Sequence, residues 1–348
     1  MSGGVDSSVA ACLLQEAGFD VLGSHLKLID GADTDHGCCG PQAEADARAV
    51  AAHAGFPFET PDLRGAFAER VLDDYVTEHE RGRTPNPCVR CNEHIKFGAF
   101  LERAERLGMD FVATGHYVRS VRDAGGRWHL HRGVDGDKDQ SYMVHTLGQR
   151  ELSGALFPIG AQTKAETRAH ARRLGLPVAE KPDSQELCFA PSGDARAFLT
   201  THAPHLVAEG EVVDPGGAVI GTHDGAALYT IGQRRGLGVS TGRRSYVVAT
   251  DVGRNRVTVG TAELLGRRGL HAEKVRWVAG WPPDAPFEGE VKIRYRGDPV
   301  AAVIEPIGNA GARVEFRAAQ RSVTPGQSAV FYRGDEVLGG GTIATAIR

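Results

Sequence analysis

The residues with the clearest chemical potential are a glycine- and serine-rich stretch at the start of the chain and three cysteines further along. Residues 2–8 read SGGVDSS and run into VAACLLQEAG, which is typical of a loop that enters a helix. Glycines let backbone N–H groups approach an anion, serine hydroxyls add donors, and the helix dipole favours negative charge there. The stretch lacks the lysine of the G-x-x-x-x-G-K-[ST] loop, but it still predicts a phosphate site.

The cysteines supply the second chemical feature. Cys88 and Cys91 have C-x-x-C spacing within TPNPCVRCNEHIKF (84–97), and Cys188 lies in KPDSQELCFAPSGD (181–194). In a reducing compartment, grouped cysteines are more often metal-binding or catalytic than disulfide-bonded. The residue types alone leave both of these roles open.

The other three cysteines lie in two places. We predict that Cys12 packs on the inward side of the first helix as a small hydrophobe. His36, Cys38 and Cys39 form a compact group that could bind zinc, although the remaining ligands of such a site are not evident.

Composition predicts a globular protein of two or three domains. The chain has 348 residues, of which 41% are hydrophobic and 24% charged. No stretch approaches the roughly 18 consecutive apolar residues of a membrane helix, so we expect a cytoplasmic protein. The net charge of −4 is uneven, because residues 231–348 contain 18 Lys+Arg and 11 Asp+Glu. This basic C-terminal third favours either a nucleic-acid surface or an ordinary arginine-rich surface.

The first 200 residues alternate between strand-like and helical patterns. DVLGSHLKL (20–28) and DFVATGHYV (110–118) predict strands, and QTKAETRAHARRLGLP (162–177) predicts a helix with a capping box of Thr163 and Glu166. Further helices are expected over 43–55, 67–82 and 95–108. This alternation is typical of a parallel sheet covered by helices on both faces.

After residue 205 the helical periodicity ends. EGEVVD, GGAVIG, AALYTIG, RSYVVATD, NRVTVG and EVKIRYRG are short alternating runs separated by turn residues, which predicts small antiparallel sheets or barrels. RRGLHAEKVRWV is interpreted as a junction that divides this region in two.

Several segments together resemble the tRNA-specific 2-thiouridylase family, a branch of the ATP pyrophosphatase group. They are SGGVDSS, the two cysteine segments, TGHY (114–117), GDKDQSYMVHTL (136–147), YTIGQRRGLG (229–238) and TPGQ (324–327). The resemblance covers essentially the whole chain. It implies an α/β nucleotide-binding domain over 1–200 with a parallel sheet, a small β-rich central domain over 201–268, and a tRNA-contacting C-terminal β-barrel over 269–348.

The resemblance also implies a reaction. Family members use ATP and Mg²⁺ to adenylate the wobble uridine of tRNA, and they replace its 2-oxygen with sulfur, releasing AMP and pyrophosphate. The sulfur comes as a persulfide from a cysteine desulfurase or a relay protein, and a reductant restores the enzyme.

Site residues follow from the same match. Cys91 corresponds to the nucleophile, and Cys188 corresponds to the persulfide carrier that forms an alternate disulfide with Cys91. The implied ATP-binding residues are Ser2, Gly3, Gly4, Val5, Asp6, Ser7, Ser8, Leu26 and Gly115. The implied tRNA-binding residues are His116, Lys138, Asp139, Gln140, Arg294, Tyr295 and Gln327.

Cys88 departs from part of the family, which carries Asp at this position. Cys88, Cys91 and Cys188 could therefore supply three thiolates to a [4Fe–4S] cluster with an open iron for sulfide. Two other functions remain as alternatives. Another adenylating enzyme, such as an amidotransferase or synthetase, leaves the cysteines unexplained, and a non-catalytic RNA-binding protein leaves SGGVDSS unexplained.

The start of the chain raises a separate expectation. A phosphate-binding loop follows a strand, and only Met1 precedes this one. We expect the native protein to begin upstream, with roughly 5–10 more residues rich in Val, Ile, Leu or Ala.

Both cysteine mechanisms require the thiols of Cys91 and Cys188. Cys91→Ser and Cys188→Ser are each expected to abolish tRNA thiolation while tRNA binding persists, as measured by thionucleoside content and filter binding. Near-normal thiolation by either variant would contradict both mechanisms.

Overall fold

The computed structural model describes residues 1–30, 40–183, 187–190, 194–239, 242 and 244–348. His36, Cys38 and Cys39 lie outside these ranges. Within them, no helix is long and apolar enough to cross a membrane.

The described residues form α-helices and β-strands in the following order. The α-helices are α1 (Val5–Glu16), α2 (Pro41–Ala54), α3 (Arg64–Phe67), α4 (Asp73–Glu80), α5 (Pro87–Arg90), α6 (Phe100–Arg106), α7 (Gln149–Ser153), α8 (Lys164–Arg173) and α9 (Ala195–His202). The strands are β1 (Gly23–Ser24), β2 (Phe58–Glu59), β3 (Val112–Ala113), β4 (Val118–Arg122), β5 (Trp128–Arg132), β6 (Ala155–Leu156), β7 (Gly210–Val213), β8 (Val219–His223), β9 (Tyr246–Asp251), β10 (Arg256–Gly260), β11 (Gly266–Trp277), β12 (Phe287–Lys292), β13 (Val300–Ile307), β14 (Gly311–Arg321), β15 (Ser328–Arg333) and β16 (Glu336–Ile347).

The chain divides into two compact units. Unit 1 comprises Met1–Val71, Cys88–Ala195 and Asp335–Val337. Unit 2 comprises Leu72–Pro87, Arg196–Gly334 and Leu338–Arg348.

Unit 1 contains parallel strand pairs and helices, as the sequence predicts. β1 pairs with β2 and β3 pairs with β6, both in parallel. The short strands contribute little to the core of unit 1. This core is built mainly from helix residues such as Val9, Val50 and Ala171. Cys12 is buried in the same core, which confirms the prediction that it packs as a hydrophobe.

Two helical predictions in unit 1 can be compared closely with the structure. Thr163 caps α8 by accepting from the N–H of Glu166 at 3.3 Å, and the Glu166 carboxylate accepts from the N–H of Thr163 at 2.7 Å. The predicted capping box is therefore confirmed. The helix expected over 95–108 begins earlier, at α5, and it continues into α6 through a π-helical stretch, Cys91–Ala99.

The end of the chain contributes to unit 1 through a short stretch. β4 and β5 form an antiparallel hairpin, and Glu336 and Val337 pair with His131 and Leu130 of β5. The Glu336 carboxylate lies 2.6 Å from His129 Nδ1, within the same hairpin edge.

Unit 2 contains a mixed sheet and a barrel. β8, β7, β10 and β9 form a four-stranded sheet in which only the β7–β10 pair is parallel. β11, β14, β13, β12, β15 and β16 form a sheet that closes because β11 also pairs with β16. The barrel core is apolar, with Val291, Ile304, Val314 and Phe331 fully buried.

Two predictions for the C-terminal half were wrong. AALYTIG is not a strand, since Ala226–Leu228 form a 3-10 turn and the N–H of Thr230 donates to the Gln233 side chain rather than to a neighbouring strand. RRGLHAEKVRWV is not a connection but most of the 12-residue strand β11, which pairs on both sides. Its alternating buried residues face the barrel core.

Gly160 tests the packing of unit 1. A Cβ at this position would lie 1.7 Å from the carbonyl oxygen of Val118, the first residue of β4. Gly160→Ala is expected to lower the free energy of unfolding by about 2–4 kcal/mol, because neither backbone can move without losing contacts. Gly136→Ala is the matched control, since nothing lies within 4 Å of its added Cβ. Equal thermal denaturation midpoints for the two variants would contradict this packing.

Candidate nucleotide and sulfur-transfer site

The serine- and glycine-rich loop is a tight turn at the start of α1. Gly3 has a φ of +65°, and a Cβ there would lie 2.2 Å from the carbonyl oxygen of Ala43 in α2. Ser7 Oγ accepts from the N–H of Ser2 at 3.0 Å, and Ser8 Oγ donates to the carbonyl of Gly4 at 2.8 Å. The loop is therefore held by its own hydroxyl groups, and only glycine fits at position 3.

This turn leads directly into the N-terminus of α1. Gly4 is the N-cap residue and has an extended backbone, while Val5 is buried in the core. The first N–H groups of a helix have no partner within the helix, and the helix dipole places partial positive charge at this end. The arrangement can bind a phosphate through main-chain N–H groups.

Gly115 packs directly against the loop. A Cβ at this position would lie 2.6 Å from both the carbonyl carbon of Asp6 and the nitrogen of Ser7. The family resemblance predicts that Gly115 contacts ATP. In the structure, the absence of a side chain at Gly115 also lets the loop backbone approach the end of β3.

Leu26 follows β1, and its side chain is half-buried. The hydrogen bonds that extend the parallel pairing come from His25, to Glu59, and from Lys27, to Pro61, on either side of Leu26. Contact of Leu26 with adenine stays a prediction.

Asp6 is the centre of a charged network. Lys164 Nζ lies 2.7 and 2.9 Å from the two carboxylate oxygens of Asp6, and the Tyr117 hydroxyl donates to Asp6 at 2.9 Å. Burial and the nearby Asp6 raise the pKa of Tyr117 well above its ordinary value, so the phenol stays protonated and donates.

Lys164 also contacts Asp183, at 2.7 Å. The second oxygen of Asp183 accepts from Lys138 at 3.0 Å, and Arg168 lies 3.3 Å from the first. Burial alone would raise the pKa of Asp183, but the ion pairs with Lys164 and Lys138 hold it below its ordinary value.

Sequence reasoning missed Lys164, Asp183 and Lys181. Lys181 donates to the carbonyl of Gly3 at 3.0 Å and pairs with Asp46. A signal was present, because Lys164 is the first residue after the predicted cap and KPD begins the Cys188 segment. Spacing alone could not show that Lys164 and Lys181 contact the loop, or that Asp183 contacts Lys164.

Cys91 begins the π-helical stretch and is half-buried, whereas Cys88 is exposed. The next residue, Asn92, is almost fully buried and donates from Nδ2 to the carbonyl of Met143 at 2.9 Å. π-Helical stretches often accompany functional sites. Here the hydrogen bond from Asn92 anchors the first turn of the stretch, where Cys91 lies.

Cys188 is half-buried in a short turn in which the N–H of Ala190 donates to the carbonyl of Leu187 at 3.2 Å. Cys91 and Cys188 belong to the same compact unit. None of the cysteines in the described ranges forms a disulfide.

A [4Fe–4S] cluster at Cys88, Cys91 and Cys188 would need these three side chains to be grouped as ligands. Within the described part of the chain, which includes Cys88, Cys91 and Cys188, no three His, Cys, Asp or Glu side chains are grouped so that they could hold a metal ion. A cation bound through nucleotide phosphates has a smaller requirement, since Mg²⁺ is commonly held by one or two carboxylates plus phosphate oxygens. Asp6, within residues 2–8, is a carboxylate that fits that requirement.

The predicted tRNA residues of unit 1 differ in exposure. Lys138 and Gln140 are half-buried, while Asp139 is buried and accepts from the N–H groups of Gly133 and Ser141 at 3.1 and 3.0 Å. Gln140 accepts from the N–H of Tyr117 at 3.0 Å. The Lys138 side chain is 38% exposed, so its ammonium group is accessible to a ligand.

His116 is almost fully buried, and Nδ1 lies 2.8 Å from the Thr114 hydroxyl. Burial, followed by the charge of Lys96, lowers the pKa of His116 well below its ordinary value, so the ring is neutral near pH 7.

The predicted tRNA residues of unit 2 lie at the ends of barrel strands. Arg294 is exposed after β12, and the neighbouring Tyr295 is half-buried with Lys292 5.8 Å from its ring centre. Gln327 donates from Nε2 to the carbonyl of Thr84 at 2.7 Å. Contact of these residues with tRNA stays a prediction.

Comparison with known protein families matches three consecutive segments of the chain. Residues 1–192 match a family described as the tRNA methyl transferase HUP domain. Residues 196–261 match the tRNA methyl transferase PRC-barrel domain, and residues 267–343 match the aminomethyltransferase beta-barrel domain. The fold is therefore a HUP nucleotide-binding domain, a PRC-barrel domain and a C-terminal barrel, as the sequence predicts.

Three relatives that match over almost the whole chain share one name. Proteins named tRNA-specific 2-thiouridylase MnmA from Heliobacterium modesticaldum, Symbiobacterium thermophilum and Chloroflexus aurantiacus are 48%, 46% and 47% identical to this chain. The alignments cover 99%, 100% and 99% of this chain, and 91%, 91% and 97% of the relatives.

Gly115 tests the loop geometry. Gly115→Ala is expected to weaken ATP binding at least about tenfold, because the added methyl displaces the peptide between Asp6 and Ser7. Isothermal titration with ATP measures the effect. Gly65→Ala is the control, since nothing lies within 4 Å of its added Cβ, and similar dissociation constants for both variants would contradict the proposed packing.

Proposed function

Because this chain belongs to the tRNA-specific 2-thiouridylase family, we propose that it is an ATP-dependent tRNA-uridine 2-sulfurtransferase that acts in the cytoplasm. Its products are 2-thiouridine at the wobble position, AMP and pyrophosphate. The observation that carries the proposal is that the phosphate-binding turn of residues 2–8 lies in the same compact unit as Cys91 and Cys188.

Activation of the base explains the need for ATP. The 2-oxygen of uridine is a poor leaving group, and transfer of adenylate to this oxygen converts it into part of AMP. The N–H groups at the start of α1 hold the phosphates, and Lys164 provides positive charge beside them. Asp6 is the residue that would hold Mg²⁺, which neutralises phosphate charge.

Sulfur delivery explains the need for two thiols. The persulfide on Cys188 carries the outer sulfur, which comes from a cysteine desulfurase or relay protein. The Cys91 thiolate attacks the Cys188 sulfur, so a Cys91–Cys188 disulfide forms and hydrosulfide leaves. Hydrosulfide attacks C2 of the adenylated uridine and expels AMP. A dithiol reductant then restores both thiols.

Recognition of tRNA is assigned to both units. We propose that Lys138 pairs with a phosphate and that Arg294, Tyr295 and Gln327 contact the RNA, because Arg and Tyr can pair with phosphate and stack on an unpaired base. We retain the predicted domain boundaries near residues 200 and 268 as part of this proposal.

Methyl transfer, which the description of the matched family mentions, fits the residues less well. Methyl transfer requires no adenylation, so it would not explain the phosphate-binding turn. It also involves no step in which Cys91 and Cys188 would both take part. The persulfide route is also favoured over an iron–sulfur cluster, because the described residues do not group Cys88 with the other two thiols as metal ligands.

Incubation with ATP, tRNA and a persulfide donor tests the function. Thiolated tRNA is retarded in a mercury-containing gel, and pyrophosphate release is expected to depend on tRNA. Cys88→Asp is expected to retain activity, whereas Cys91→Ser is expected to have none. Pyrophosphate release without retarded tRNA would contradict sulfur transfer, and loss of activity in Cys88→Asp together with about four irons per chain would contradict the persulfide route.

A further inference from the structure

Asp183 lies between two lysines that belong to different parts of unit 1. Its Oδ2 accepts from Lys138 Nζ at 3.0 Å, and its Oδ1 lies 2.7 Å from Lys164 Nζ. The Asp183 side chain is 28% exposed and that of Lys164 only 12%, so water screens the inner pair weakly. The carboxylate is shared, and each lysine competes with the other for its charge.

Lys164, the less exposed of the two lysines, also contacts the phosphate loop. Lys164 contacts both carboxylate oxygens of Asp6. Lys138, Asp183, Lys164 and Asp6 thus form a row of four alternating charges. One end of the row is in the proposed tRNA-binding segment, and the other is in the loop that holds ATP.

The segment around Asp183 is tied to the loop a second time. Lys181, two residues earlier, donates to the carbonyl of Gly3 and pairs with Asp46. Cys188 follows Asp183 by five residues in the sequence. Lys181 therefore ties this segment to the loop directly, and Asp183 ties it indirectly, through Lys164.

We propose that Asp183 is a positioning residue that couples tRNA binding to ATP binding, an inference that rests on the function proposed above. A tRNA phosphate must draw Lys138 away from Asp183, and ATP must alter the contact of Lys164 with Asp6. Each event changes the positive charge that Lys138 and Lys164 place beside the Asp183 carboxylate. Binding at one site therefore changes affinity at the other by the same factor, as linkage requires.

The test measures this coupling factor. The dissociation constant for tRNA is measured with and without a non-hydrolysable α,β-methylene analogue of ATP, and the coupling factor is the ratio of the two values. We expect a ratio that differs from 1 by at least about fivefold in the unmodified protein. In Asp183→Asn the ratio is expected to fall to near 1, since the neutral amide no longer holds either lysine strongly.

A second expectation separates positioning from a merely structural role. In Asp183→Asn, Lys138 loses its ion pair with Asp183, which otherwise competes with the tRNA phosphate for this lysine. Without nucleotide, tRNA is therefore expected to bind this variant more tightly than the unmodified protein. A structural defect would weaken tRNA binding instead. Asp183→Glu keeps the charge and is expected to restore part of the coupling.

Glu180→Gln is the matched control. It removes an ion pair with Arg172 from the same stretch, but both partners are mostly exposed and neither contacts the four-residue row. We expect this variant to keep the coupling factor of the unmodified protein, and thermal denaturation checks that all variants fold.

The outcomes distinguish the two proposals. A protein that thiolates tRNA but shows a coupling factor near 1, or an Asp183→Asn variant that keeps the original factor, overturns the role of Asp183. Weaker tRNA binding by Asp183→Asn in both nucleotide states overturns it as well. Absence of thiolation by the unmodified protein, by contrast, overturns the proposed function itself.

Discussion

The ion pair between Asp6 and Lys164 is the interaction on which the arrangement of the phosphate loop depends. Asp6 lies in the first turn of α1, where its charge is favourable to the helix dipole but would repel an incoming phosphate. Lys164 lies against both oxygens of this carboxylate and offsets its charge. A loop whose N–H groups favour an anion can therefore carry an acidic residue, because the lysine neutralises it.

The loop is shaped from distant parts of the chain. Gly115 abuts its backbone, Lys181 donates to the carbonyl of Gly3, and Lys164 contacts Asp6. These residues lie more than 100 positions away in the sequence. The loop conformation thus depends on these tertiary contacts as well as on its own serine hydroxyls, and changes at any of the three sites affect the same few peptide groups.

The sequence predicted those features that depend on neighbouring residues. Thr163 and Glu166 form their capping box because all the necessary atoms lie within one helical turn. AALYTIG has an alternating pattern typical of a strand, but the side chain of Gln233 accepts a hydrogen bond from the N–H of Thr230, and the segment forms a turn instead of a strand. The π-helical stretch at Cys91 has no periodic signal. The contacts of Lys164 and Asp183 with each other bring together residues from separate segments, which no spacing rule predicts.

The segment before the cysteines is held in place by residues 325–327. Thr84 is held within unit 2 by the carbonyl of Pro325, which accepts from its N–H at 2.9 Å, and by Gln327, which donates to its carbonyl. Gly326, between them, has a φ of +93°, and a Cβ there would lie 2.7 Å from Thr84 N. The amide of Gln327 has two donor hydrogens and an acceptor oxygen, so its bond to Thr84 uses only part of its capacity. A contact of Gln327 with RNA is therefore compatible with its hold on Thr84, the residue from which the chain continues toward Cys88 and Cys91.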